Sequence, residues 1–207
     1  MLFKNRAQGG RKLGDFLTQR HFENPIVIAL PRGGVVTAAQ VARALHCPMD
    51  LLVVRKIGAP GDEEYGIGAM SEDEECFFSP GADLFDVSAD EVQEVIKAER
   101  LELQRRIKLY RNRELKTVRG HTVIVVDDGL ATGVTATAAI KYLRKKEPLK
   151  IVFAVPVGPQ MVGSYLKELC DEVIILERPP FFSGIGLAYE DFSQTSDEEV
   201  MRLLKEQ

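Results

Sequence analysis

The chain has 207 residues, 45% of them hydrophobic, which is enough for one well-buried domain with a small appendage. Its formal net charge of -4 is modest, and no apolar run approaches the roughly 18 residues that suggest a membrane-spanning helix. The N-terminal stretch lacks the apolar core of a secretory leader, and the widely spaced Cys47, Cys76 and Cys170 form no CxxC pair or disulfide framework, so a cytoplasmic setting is expected.

In chain order, residues 26–30 form a continuous apolar run ended by Pro31, the pattern of a strand buried on both faces. Residues 35–45 have helical spacing, and residues 51–54 read as a second buried strand. Gly58, Pro60 and Gly61 then open a loop rich in breakers, and residues 67–70 and 76–78 pair as a hairpin around 71–75. Ser88 with Glu91 is a capping box that starts a long helix, its apolar stripe formed by Val92, Val95, Ile96, Leu103, Ile107 and Tyr110. A strand over 122–126, a helix over 135–146, a strand over 151–157, a helix over 159–170 and a strand over 173–176 follow. Ser196 and Glu199 repeat the capping pattern before a terminal helix.

Such alternation predicts an α/β fold, a central and mostly parallel sheet with helices on both faces. Ligands of these sheets sit at the carboxyl ends of the strands, so function belongs in the loops after residues 30, 54 and 126. Charge is uneven along the chain. Residues 62–75 carry seven acids and no base, and residues 97–119 carry nine bases against three acids. The basic run reads either as a nucleic-acid footprint or, more ordinarily, as a solvated helix face with mixed ion pairs.

The loop after the third strand carries the most chemistry. Residues 123–135 read VIVVDDGLATGVT: an apolar strand, two acids, a loop with Gly129 and Gly133, then a helix. A tight loop at a helix N-terminus is an anion site, because free backbone N–H groups point outward and the helix dipole adds about half a positive charge. Thr132 and Thr135 add hydroxyls, and two carboxylates beside such a site suit a ligand that also offers hydroxyls or a bridging cation. A sugar phosphate meets both demands. The stretch is neither a P-loop, lacking GK[ST], nor a dinucleotide fingerprint, lacking GxGxxG.

This motif resembles the 5-phosphoribosyl-1-diphosphate (PRPP) site of type I phosphoribosyltransferases, and the resemblance covers roughly residues 25–177. It implies that Gly129, Leu130, Ala131, Thr132, Gly133, Val134 and Thr135 hold the 5-phosphate. Asp127 and Asp128 would bind the ribose hydroxyls and, directly or through ribose or water, a Mg²⁺ ion. Arg32, Gly33 and Gly34 resemble the family's diphosphate loop, which often holds a non-proline cis peptide, looked for here near Arg32–Gly33. Arg55 and Lys56 resemble the basic pair before the family's mobile flap and would neutralise the diphosphate, although the flap here is acidic.

Ala131 stands where 6-oxopurine enzymes usually carry an acid, which disfavours that substrate class. A C-terminal hood over about 177–207 offers Phe181 and Phe182 to stack on a nucleobase or to pack the core, with Tyr189, Asp191 and Phe192 closing the same pocket. The whole chain is expected to be one domain, with an inserted helix over about 88–112 that covers the site or forms a homodimer contact. The resemblance implies a Mg²⁺-dependent transfer of the phosphoribosyl group to a nucleobase-like acceptor, with nucleotide salvage as the setting. The alternative is a PRPP-sensing regulator that binds nucleic acid through residues 97–119.

Overall fold

The computed structural model describes residues 1–79, 88–161 and 163–206. The side chains of residues 63–65 and 163–165 also lie outside the described set, and with them the carboxylates of Glu63 and Glu64 in the expected flap.

Five parallel strands form the central sheet: β1 (Pro25–Ala29), β2 (Met49–Leu51), β6 (Thr122–Val126), β7 (Lys150–Val157) and β8 (Glu172–Glu177), in the order β2-β1-β6-β7-β8. Alternate residues of each strand feed two cores, as a period of two requires. Val27, Ala29, Ile124, Val126, Val152 and Ala154 face the layer of α1 (Arg6–Leu17), α2 (Gly33–Leu45) and α6 (Asp197–Lys205). Ile26, Ile28, Val123, Val125, Phe153 and Val155 face α4 (Val134–Arg144) and α5 (Gly163–Leu169). Chain connections run outward from β1 toward β2 on one side and from β6 toward β8 on the other. The crevice between the carboxyl ends of β1 and β6 is therefore the switch point, where open α/β sheets bind ligands.

Three departures from the sequence reading matter. The second strand is shorter than expected: pairing stops at Leu51, and residues 52–54 run on without it. The breaker-rich stretch is also more ordered than a loop. β3 (Arg55–Ala59) turns at Pro60–Gly61 into β4 (Asp62–Met70), which pairs with β5 (Cys76–Phe78) in an antiparallel ribbon. The expected hairpin is the outer half of this ribbon, with Gly68 opposite Phe78 and Met70 opposite Cys76.

The third departure is α1, which the apolar spacing does not announce. Its three glycines (Gly9, Gly10, Gly14) argue against a helix by propensity. Tertiary packing reverses that argument. A Cβ on Gly10 would sit 2.6 Å from the Thr37 carbonyl oxygen, and one on Gly14 would sit 2.8 Å from Ala44 Cβ, so the glycines let α1 lie against the backbone of α2. Gly10→Val is expected to cost about 1–3 kcal/mol by overpacking against a rigid neighbour. A lower urea midpoint at unchanged slope is the measurement that checks it.

The long helix α3 (Ala89–Tyr110) begins with the expected reciprocal Ser88–Glu91 capping box and lies against β3. Ile96, Leu103 and Tyr110 are buried, and Val92, Val95 and Ile107 pack beside them. Four of its five bases are engaged by acids: Lys97 with Glu94, Arg100 with Glu74, Arg105 with Glu102 and Asp197, and Arg106 with Glu102, while Lys108 in the last turn is exposed. None of the helices described is long and apolar enough to cross a membrane.

Candidate active site

At the switch point the strand β6 delivers Asp127 and Asp128 to the crevice floor. The Asp127 carboxylate is turned back on its own chain and accepts the Asp128 backbone N–H at 2.8 Å. The loop after β1 closes directly over the pair. A Cβ on Gly34 would lie 2.7 Å from Asp127 Oδ1 and 2.9 Å from Asp127 Cα, so only glycine permits this contact. Gly33 stands against Asp128 in the same way, since a Cβ there would overlap the Asp128 carboxylate. The peptide between Pro31 and Arg32 is cis, one bond earlier than Arg32–Gly33. The two glycines and two acids named from the sequence are thus brought together as one surface.

The glycine-containing loop over residues 129–135 runs on from the acids. Gly129 tucks under Ile185, whose Cγ2 would be 2.5 Å from a Cβ at that position, and the Leu130 N–H donates to the Val157 carbonyl at 2.9 Å. Leu130 is buried, whereas Ala131 and Thr132 are exposed at the loop tip. Gly133 takes a left-handed conformation (φ 77°) as the N-cap of α4, with no side chain capping the helix. The first turn, which includes Val134 and Thr135, therefore opens with backbone N–H groups that a capping side chain would otherwise take, the condition for anion binding.

Burial pushes the Asp127 carboxyl well above its ordinary range, and the neighbouring charge of Asp128 adds to the shift. Burial raises Asp128 as well, but there a guanidinium opposes it. That cation is Arg6, the first residue of α1, whose Nε donates to Asp128 Oδ2 at 2.6 Å. Sequence reasoning misses Arg6. No local pattern marks it, because its partner lies 122 residues away.

The tail brings Tyr189 and Phe192 against Asp128 and Arg6. The Tyr189 hydroxyl donates to the Asp128 carbonyl at 2.5 Å, and burial raises its pKa. Phe192 stacks on Tyr189 with centroids 5.3 Å apart and lies under the Arg6 guanidinium at 3.7 Å. The N-terminal segment clasps this tail, with Glu190 N–H donating to Phe3 and Asp191 N–H to Lys4. Phe182 packs beside Phe3, Val157 and Tyr189, while Phe181 is 92% exposed and touches none of that core.

Three further cations sit differently from expectation. Arg55 opens β3 of the ribbon instead of ending a parallel strand, and its Nε donates to Glu99 of α3 at 2.6 Å. Lys56 follows it on the same strand and is exposed. Arg32 lies 3.9 Å from Asp197, an acid that also holds Arg105 and the Tyr110 hydroxyl. The difference arises because β2 ends early, so residues 52–54 carry the chain away before the basic pair. A larger cleft of about 770 Å³ lies elsewhere, between the end of α3 and α4. Its arginines and Lys145 are already matched by acids, Arg111 by Glu72, Arg113 by Asp50, Arg119 by Glu147 and Lys145 by Asp73 and Glu75.

Comparison with known proteins accords with this geometry. The model of the phosphoribosyl transferase domain matches residues 3–173. Two Mycobacterium tuberculosis proteins named after the same family, MT0597 of strain CDC 1551 and Rv0571c of strain H37Rv, are each 38% identical over 208 residues. These matches cover 98% of this chain and 46% of theirs, so the chain spans about half the length of the curated relatives it matches. The crystal structure of TT1426 from Thermus thermophilus superposes with a TM-score of 0.81 at 36% identity, covering 100% of this chain and 99% of that one. A family match that begins at the N-terminal clasp, takes in both loops of the switch point and ends in β8 makes this chain a member of the phosphoribosyl transferase domain family.

Proposed function

We propose that this chain transfers the 5-phosphoribosyl group of PRPP to a nitrogen acceptor of the nucleobase kind, with release of diphosphate. The observation that carries the reading is the meeting of the Asp127–Asp128 pair with the Gly33–Gly34 backbone beside the uncapped N-terminus of α4. In this reading the first turn of α4 and the hydroxyls of Thr132 and Thr135 receive the 5-phosphate. Asp127 and Asp128 accept the ribose hydroxyls and favour the positive charge that develops on the ring as the C1–diphosphate bond breaks. The diphosphate lies along Arg32, Gly33 and Gly34.

Magnesium fits as a passenger of the substrate. Among the described residues no group of three or more His, Cys, Asp or Glu side chains is placed to hold an ion. Magnesium commonly binds through one or two carboxylates plus substrate phosphates, and Asp127 and Asp128 can supply those carboxylates. When bound, it neutralises the leaving diphosphate. The pairing of Arg100, Arg105 and Arg106 with acids favours transfer chemistry over the nucleic-acid-binding regulator, since each of these arginines would have to leave a partner to meet a phosphate. Phe182 is fixed in the hood core, so Phe181 is the aromatic left to cover an acceptor.

The test is diphosphate release from Mg²⁺-PRPP across adenine, guanine, hypoxanthine, xanthine, uracil and orotate. Base-dependent release is expected, with the 6-oxopurines disfavoured because Ala131 offers no acid to them. Absence of PRPP binding by calorimetry, together with silence across the panel, overturns the reading.

A further inference from the structure

The diversion of Arg55 to Glu99, beside an acidic ribbon, takes from the leaving group one of the two bases that the sequence resemblance assigned to it. We propose that Arg6, carried in by the N-terminal helix, meets the diphosphate alongside Arg32. The inference rests on the PRPP reading and assigns one of its substrate contacts to a residue outside the shared sequence motifs.

Three observations carry it. First, Arg6 lies on the diphosphate loop itself: a Cβ on Gly33 would come within 2.6 Å of Arg6 Nε. Second, its guanidinium is held from three sides, by Asp128 at 2.6 Å, by the Ser193 carbonyl on Nη1 at 2.7 Å and by the Phe192 ring beneath it. Those contacts engage Nε and Nη1 and leave Nη2 with no hydrogen-bond partner among the described residues. A guanidinium has five N–H donors in a rigid fork, so it keeps a carboxylate and takes a phosphate oxygen together.

Third, a cavity of about 170 Å³ opens beside it, lined by Arg6, Val36 in the first turn of α2, Thr195, Asp191 and Glu199 among others. Asp191 is partly spent on its own turn, accepting the Ser193 N–H at 2.9 Å. The two acids suit a diphosphate that arrives with its magnesium better than a bare one. By joining Asp128 to the loop, Arg6 would hold the ribose carboxylate and the leaving group in one frame.

The experiment is calorimetric titration of the wild-type chain, Arg6→Ala and Arg6→Lys with three probes: Mg²⁺-PRPP, Mg²⁺-diphosphate and ribose 5-phosphate. In Arg6→Ala the affinity for PRPP and diphosphate should fall by about 10- to 100-fold, the range for losing a hydrogen bond to a charged group. Ribose 5-phosphate binding should fall clearly less than either, and Arg6→Lys should show a smaller loss with the same selectivity. If Arg6→Ala weakens ribose 5-phosphate as much as PRPP, Arg6 merely props Asp128 and the inference fails. It also fails if neither ligand is affected, or if wild type binds ribose 5-phosphate and not diphosphate. Wild type binding none of the three overturns the PRPP reading beneath it. Should thermal melting show Arg6→Ala unfolded, the same comparison is read from Arg6→Lys and from Phe192→Ala, which keeps the charge and removes the ring under it.

Discussion

Asp127→Asn combined with Asp128→Asn is expected to lower PRPP-dependent diphosphate release by more than about 10³-fold, on the scale seen when groups that stabilise transition-state charge are removed. The fold should survive, because asparagine still accepts hydrogen bonds where Asp127 meets the Asp128 N–H and Asp128 meets Arg6. Asp127→Asn alone should even melt higher than wild type at pH 8. Burial and the Asp128 charge raise the folded Asp127 carboxyl above its unfolded value of about 3.9. Between those two values the folded chain holds a proton that the unfolded chain has released, so stability falls as pH rises through that window. Asparagine has no proton to lose, so its advantage is present at pH 8 and shrinks toward pH 4. Ribose hydroxyls and a metal favour the ionised carboxyls, so wild-type PRPP affinity should rise with pH over the same window, and the variant's should rise less because only Asp128 is left to ionise. Full turnover in a folded double variant would refute the site.

Glu72→Ala should be the most destabilising single change away from the crevice, at about 3–5 kcal/mol. Glu72 pairs with Arg111, their side chains only 7% and 3% exposed, and it also accepts the Val53 N–H at 2.9 Å. It thereby ties the end of α3 and the chain after β2 to the turn between β4 and β5. Truncation leaves a buried guanidinium without its counter-charge, which is the costly way to break a buried pair. Burial raises the Glu72 carboxyl despite that partner, a sign that desolvation is large here. Replacing both residues by apolar ones, Glu72→Leu with Arg111→Met, should recover most of the loss, because neither charge is then stranded. Urea midpoints of the three proteins decide it. A single variant as stable as wild type would mean that water reaches Arg111.

Parts of the site were legible because their signals are local. Four β-branched residues running into two acids and a glycine loop can hardly be read otherwise, and Thr122–Val126 is the strand observed. The capping box at Ser88 and the N-cap at Ser196 were equally plain, since each is satisfied within four residues. The basic pair misled for a related reason. Residues 51–54 look like a strand, but a strand needs a neighbour along its whole length, and β1 offers register partners only as far as Leu51.

The sequence by itself determined the parallel α/β sheet, the placing of function in the loops that follow its strands, and the acids and glycines that meet at the switch point. Those features follow from apolar period, turn chemistry and caps, which act between residues close in the chain. Only the tertiary structure decided which arginines reach the site. Arg6 arrives because Gly10 and Gly14 let α1 lie on α2 and because the N-terminus clasps the tail at Phe3 and Tyr189. Arg55 is drawn off because Glu99 stands across from it on α3. Both outcomes rest on charges brought together from distant parts of the chain, and an ion pair of that kind exists only once the packing that brings its partners together exists.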